Sequence, residues 1–175
     1  MAAVGSISGA ASPTRGLFAG GNGPGPGWSF DHNTIDYITI ASTGDATDFG
    51  DLTRKDFTAG GACSSTTRAI FGGGYTPSPT PATETNTIDY VTIASTGNAT
   101  DFGDLTLAGW YNGGGSNGIR GIFTGRLTTS PTSGDPTIDS IIIASTGNAV
   151  NWGDMTGSGS TVRRAATVMS DSHGG

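Results

Sequence analysis

The chain has 175 residues, 31 glycines, 8 prolines and a formal net charge of −6, with an isoelectric point near 4.5. An acidic balance argues against nucleic acid and anionic membranes as partners, because both select basic patches. Lys55 and Glu84 are the only lysine and glutamate, and a surface so poor in helix-favouring charges excludes a helical bundle or a doubly wound α/β domain.

In chain order, residues 4–9 form a weak apolar run, and residues 14–21 form a short apolar strand stopped by Gly20 and Gly21. Residues 34–44 follow, a β-branched and aromatic stretch that ends in a Ser-Thr-Gly turn. Residues 46–53 then carry Phe49 three positions before Leu52. The same order returns at 57–63, 67–74, 87–97 and 99–106, and again at 110–115, 119–125, 137–147 and 149–156. Asp36, Asp89 and Asp139 mark the repeat, with spacings of 53 and 50 residues. Four strands per unit of about fifty residues is the content of a propeller blade, as opposed to a helical solenoid. Unit boundaries are expected at 1–53, 54–106 and 107–156. Residues 157–175 begin a fourth unit, with a spare strand near 165–170. Ile141, Ile142 and Ile143 lack polar alternation, which predicts a strand covered on both faces.

Variation is confined to one place in each unit. Residues 22–33, 75–86 and 126–136 share no pattern, are rich in Pro, Gly, Ser and Thr, and read as loops. Insertions in one loop per repeat map to one face, often the binding face. Trp28, Phe30 and Tyr75 lie in or beside these segments and are the candidates for stacking on sugar rings.

Asp45, Asp48 and Asp51 are spaced three apart. Oxygen ligands at regular spacing suit calcium, but the spacing matches no EF-hand loop. Asp and Asn capping a tight turn explain the same residues, and that reading is preferred. Arg15, Arg68 and Arg120 open the second strand of each unit and Asp36, Asp89 and Asp139 open the third. Their joint recurrence favours a structural Arg–Asp bridge over an anion-binding channel. Asp48-Phe49-Gly50 and Asp101-Phe102-Gly103 spell the kinase metal-binding tripeptide without any other kinase signature. His32 and His173 fall outside the repeated framework, and the lone Cys63 reads as a small core residue. No catalytic set, zinc site or cofactor motif emerges, and a non-enzymatic protein is expected.

The pattern resembles the kelch repeat of β-propellers. A glycine pair after a short apolar strand, a tyrosine on the next, and an aromatic three before an aliphatic recur at Gly20-Gly21, Tyr37, Phe49 and Leu52. They recur again at Gly73-Gly74, Tyr90, Phe102 and Leu105, and in part at Trp152 and Met155. The third unit departs, with Arg126 in place of the second glycine and Ser140 in place of the tyrosine. Nearly the whole chain is similar to tandem repeats in virion proteins of tailed phages, particularly marine ones. That resemblance implies an all-β fold of kelch-like four-stranded blades, as a propeller or a partial propeller completed by other chains. It also implies a non-enzymatic component of the phage particle: a tail-fibre, tail-associated or head-decoration module. The partners implied are other virion proteins, copies of itself as a homo-oligomer, and a host surface glycan. A lectin-like propeller and a self-assembling extracellular filament are the alternatives. No run reaches the ~20 apolar residues of a membrane helix. Residues 1–9 have neither the basic nor the apolar region of a signal peptide, so no membrane insertion is expected.

Overall fold

The structure is a computed structural model describing residues 6–23, 30–56, 58–76, 83–129 and 132–156. Trp28, His173 and the expected strand at 165–170 lie outside the described residues, as does the rest of 157–175. The described residues form fifteen β-strands and no helix, so none of them belongs to a helix able to cross a membrane.

The first sheet contains β1 (Ser8–Ala11), β2 (Arg15–Ala19), β4 (Phe30–Thr39) and β5 (Thr47–Asp56), with the short β3 (Asn22–Gly23) added on β4. The second is β6 (Thr58–Ser64), β7 (Arg68–Thr76), β8 (Thr83–Thr92) and β9 (Thr100–Asp104). The third is β10 (Gly113–Ser116), β11 (Arg120–Thr124), β14 (Thr137–Ile142) and β15 (Val150–Asp154). A separate hairpin pairs β12 (Arg126–Thr129) with β13 (Thr132–Asp135). Every pairing is antiparallel.

Local chemistry sets the turns. Ser12 and Ser65 accept the amides of Arg15 and Arg68 on their hydroxyls, and Asn117 Oδ1 accepts those of Ile119 and Arg120. These side-chain caps close the turn between the first and second strands of each sheet. Gly20, Gly73 and Gly125 take φ of 69°, 75° and 74° where the second strand ends its run, a conformation that glycine adopts without a Cβ penalty.

The variable segments differ from the loops expected. Their flanks continue the second and third strands beyond the glycines, as β3 with the start of β4, as Tyr75 and Thr76 with Thr83 and Glu84, and as β12 with β13. All three extensions leave the same end of their sheets. The Ser-Thr-Gly turns lie at the opposite end, where the amides of Ile40, Ile93 and Ile143 donate to the carbonyls of Thr14, Thr67 and Ile119.

Two apolar layers join the sheets in series. Leu17, Ile35, Phe49 and Leu52 of the first sheet pack with Ala69, Phe71, Val91 and Ile93 of the second. Ile70, Ile88, Phe102 and Leu105 of the second pack with Phe123, Ile141 and Ile143 of the third. The second sheet is therefore apolar on both faces, as a layer buried on both sides must be. Ile142 does not follow the expectation of full cover: it stays exposed between buried Ile141 and Ile143, because period-two alternation turns it to the other face. The first strands stack too, with β1 beside β6 and β6 beside β10. Ser8 Oγ donates to the Gly60 carbonyl, and Ser64 Oγ to that of Ala11.

Gly50 and Gly103 hold φ near 145°, and a Cβ on either would lie 2.5 Å from the carbonyl of Gly97 or Gly147 in the next sheet. Gly153 has the same conformation in open space. Gly50→Ala and Gly103→Ala should each cost about 3 kcal/mol or more, from strain and collision together. Gly153→Ala should cost only the roughly 1–2 kcal/mol of backbone strain. Denaturant melts of the three variants measure the difference.

Candidate binding surface

The seams between sheets repeat one set of contacts, and these hold the extended hairpins in place. At the first seam the Gly97 and Ala99 amides donate to the carbonyls of Phe49 and Asp51, at 2.8 and 2.7 Å. Asn98 Oδ1 accepts the Asp51 amide at 3.1 Å. At the second seam Gly147, Ala149 and Asn148 do the same with Phe102 and Asp104. The Ser-Thr-Gly turn of one sheet thus grips the fourth strand of the sheet before it.

The expected Arg–Asp bridge is not made. Arg68 sits opposite Thr92 and Asp89 opposite Phe71, an odd offset of three residues along the strand, so the two side chains point from opposite faces of the sheet. Arg15 and Arg68 instead donate to the carbonyls of Ile93 and Ile143 across the seam, at 2.7 and 3.0 Å. Their guanidinium carbons stand 4.6 Å above the rings of Tyr37 and Tyr90, a cation–π stack. The aspartates turn the other way. Buried Asp89 accepts the amide of Thr53 at 3.0 Å and its hydroxyl at 2.7 Å. Asp139 takes Thr106 in the same manner. Asp36 is exposed.

Each buried aspartate also has a cation, supplied from different places. Arg54 follows Thr53 and donates to the carbonyls of Gly73 and Thr87, which puts its charge beside Asp89. Leu107 takes the equivalent place after Thr106, and there the charge comes from Arg126, in the position of the lost second glycine. Arg126 is fully buried, 2.6 Å from Asp139 and 3.5 Å from Asp135. The third sheet makes a second exchange. Tyr37 and Tyr90 lie edge-on to Phe49 and Phe102, with centroids 5.8 and 5.9 Å apart. With Ser140 in place of the tyrosine, Arg120 stacks on Trp152 at 4.2 Å and donates to Ser140 Oγ. Phe49 and Phe102 are buried, whereas Trp152 is 56% exposed.

The acidic turn works as a backbone cap. Asp48 and Asp101 accept the amides of Gly50 and Gly103, two residues on. Asp45 lies exposed in the turn before β5, and Asp51 lies within β5 opposite Thr34. Among the described residues, no three acidic, histidine or cysteine side chains gather at a metal-sized point, so the calcium set is not assembled within the chain. Cys63 is buried, and burial pushes its thiol up to about 12, which makes it an inert core residue.

At the hairpin end one aromatic group was not legible in sequence. Tyr75 lies with its ring 4.8 Å from Trp110, and Trp110 lies 6.4 Å from Tyr111. Trp110 is placed there by paired backbone bonds to Leu127 at the base of the third hairpin. Tyr111 is 40% exposed and holds φ of +58°, uncommon for a bulky non-glycine residue. The sequence pattern places Trp110 in the run 110–115, and the adjacent pair Trp110-Tyr111 is the one local signal, because Tyr75 lies 35 positions earlier in the chain. Phe30 opens β4 opposite Gly23; its side chain is outside the described set. No protein-family model matches the chain, and no curated protein matches it.

Burial pushes the Asp89 carboxyl above its usual range, against the lowering effects of Thr53 and Arg54. The folded chain therefore binds this proton more tightly than the unfolded chain. Asp89's contribution to stability is complete below the ordinary carboxylate value and is lost as pH rises through the raised one. Wild type should gain in melting temperature relative to Asp89→Asn as pH falls from about 7 to about 4. A gap that narrows on acidification would show that the ionised carboxylate is the favoured form.

Proposed function

We propose that the chain is a non-enzymatic structural module of a tailed-phage particle, built of kelch-like blades, that presents its hairpin end for attachment. One observation carries the attachment reading. Three hairpins of unlike sequence leave the same end of three sheets whose frameworks are nearly identical. The framework residues are engaged in seam contacts, which leaves the hairpins beyond their bases free to vary at little cost to the fold. The virion assignment rests on the repeat resemblance, and the partners it implies are neighbouring virion proteins or further copies of the chain. The reading needs no cofactor and no catalytic residue. Peptide mapping of purified particles of the encoding phage should recover the chain at structural copy number. Recovery only from the soluble lysate would overturn the virion assignment.

A second reading, a lectin-like module, is favoured by the cluster of Tyr75, Trp110 and Tyr111. Aromatic faces that are partly wet are suited to stack on sugar rings. A bulky residue held at positive φ is a candidate for function, since the strain must be supported by its surroundings. Tyr111→Gly relieves that strain and should leave stability equal or higher by up to about 1 kcal/mol. Retention on immobilised host glycan should fall about tenfold with the ring removed. Unchanged retention would exclude this cluster as the contact.

A further inference from the structure

Among the described residues, the first and third sheets each leave one face open, and the two faces carry the unmatched halves of the seam contact. On the first sheet, Phe18 and Ile40 are 38% and 53% exposed, whereas their equivalents Phe71 and Ile93 are buried. Asp36 is exposed where Asp89 and Asp139 are buried and hold a threonine. On the third sheet, Trp152 is exposed where Phe49 and Phe102 are buried. Ile138 and Met155 are half-buried where Ile88 and Leu105 are covered.

We propose that the third sheet of one copy docks head to tail on the first sheet of a second copy, through the same contacts that join the sheets within the chain. Repeat equivalence names the bonds. The amides of Gly44 and Ala46 donate to the carbonyls of Trp152 and Asp154, as Gly97 and Ala99 do to Phe49 and Asp51. The Asp154 amide donates to the Asp45 carboxylate, which stands where Asn98 and Asn148 act. Thr156 donates to Asp36. Arg120, already stacked on Trp152, donates to the Ile40 carbonyl, as Arg15 does to that of Ile93. Arg120 also lines a cleft of about 340 Å³ with Ser140, Ile142 and Val150, open toward that partner.

Two further features fit this occupant. Gly153 keeps the positive φ of Gly50 and Gly103 although nothing lies within 4 Å of its would-be Cβ. Within one chain that conformation serves no close approach, whereas against Gly44 of a second copy it leaves the room the other seams need. The guanidinium beside each buried aspartate has no counterpart here, because the equivalent positions are Gly21 and Gly157. The contact between copies is therefore weaker than the internal seams and reversible. It is heterologous, so it closes into a ring when two copies complete a turn and otherwise propagates as a string. Six four-stranded sheets from two copies fall within the usual four to eight of closed rings. The contact rests on the equivalence of the repeats and not on the virion assignment.

Light scattering on the full chain tests it with two surface variants, Ile40→Glu on the first sheet and Trp152→Glu on the third, each checked for fold by circular dichroism. Wild type should scatter as a particle of at least twice the 17.4 kDa chain mass. Each variant alone should be monomeric, with association weakened at least tenfold. Their equimolar mixture should recover dimers, because one variant keeps an intact third sheet and the other an intact first sheet. Monomeric wild type would overturn the proposal, including the case in which residues 157–175 cover the third sheet. So would assembly that survives in either variant alone, or a mixture that stays monomeric. None of these outcomes bears on whether the chain is found in particles, which peptide mapping reads separately.

Discussion

The close approach of the Ser-Thr-Gly turn to the fourth strand of the preceding sheet is the constraint on which the rest of the structure depends. Backbone meets backbone there, through the amides of Gly97 and Ala99 at one seam and of Gly147 and Ala149 at the other. Any side chain at Gly50 or Gly103 would occupy the space of the opposing carbonyl. Once these strands are held, the apolar layers behind them are brought into register, with Phe49, Val91 and Ile93 in one cluster and Phe102, Ile141 and Ile143 in the other. Each sheet alone would expose a whole apolar face, and burying it against a neighbour is the main driving force available to a chain of this kind.

The two buried seam carboxylates are each matched with hydrogen-bond donors and a cation. A carboxylate taken out of water costs several kcal/mol unless donors and a cation surround it. Asp89 has Thr53 and Arg54; Asp139 has Thr106 and Arg126. That Arg54 is exchanged for Leu107 as Gly74 is exchanged for Arg126 shows the charge being conserved while its source moves. The exchange of Tyr90 and Phe102 for Ser140 and Trp152 is of the same sort, because a larger indole supplies the face that the phenol otherwise gives to arginine. The irregular third unit is thus a compensated variant of the other two.

Separation of duties follows from this layout. The glycines at the end of the second strand release the chain from the seam contacts, and beyond them the backbone continues as hairpins that touch the framework at few points. Sequence is free to change beyond the hairpin bases, because the apolar layers lie toward the other parts of each sheet; at the base of the third hairpin Arg126 and Asp135 stay tied to the Asp139 clamp. Trp110 and Tyr111 are the exception, since their segment crosses from the second sheet to the third and brings both rings to the base of the hairpins.

Much of the fold was legible in the order of residues. The 53- and 50-residue spacings, the β-branched runs and the Ser, Asn and Gly turns announced four-stranded antiparallel units, because period-two patterning and turn chemistry act over a few residues. The capping role of Asp48 and Asp101 was legible for the same reason. What each framework side chain touches was not. Arg68 and Asp89 recur together, yet they meet a carbonyl and a threonine of two different neighbours, a result of strand register and sheet stacking that no local pattern encodes. The exposure of Trp152, the buried cation at Arg126 and the meeting of Tyr75 with Trp110 likewise join residues distant in sequence or depend on which sheet has a neighbour. Local sequence determined the repeated element and its turns; only the stacking of sheets decided which repeated residues were buried, paired or left open, because those outcomes depend on contacts between units and not within them.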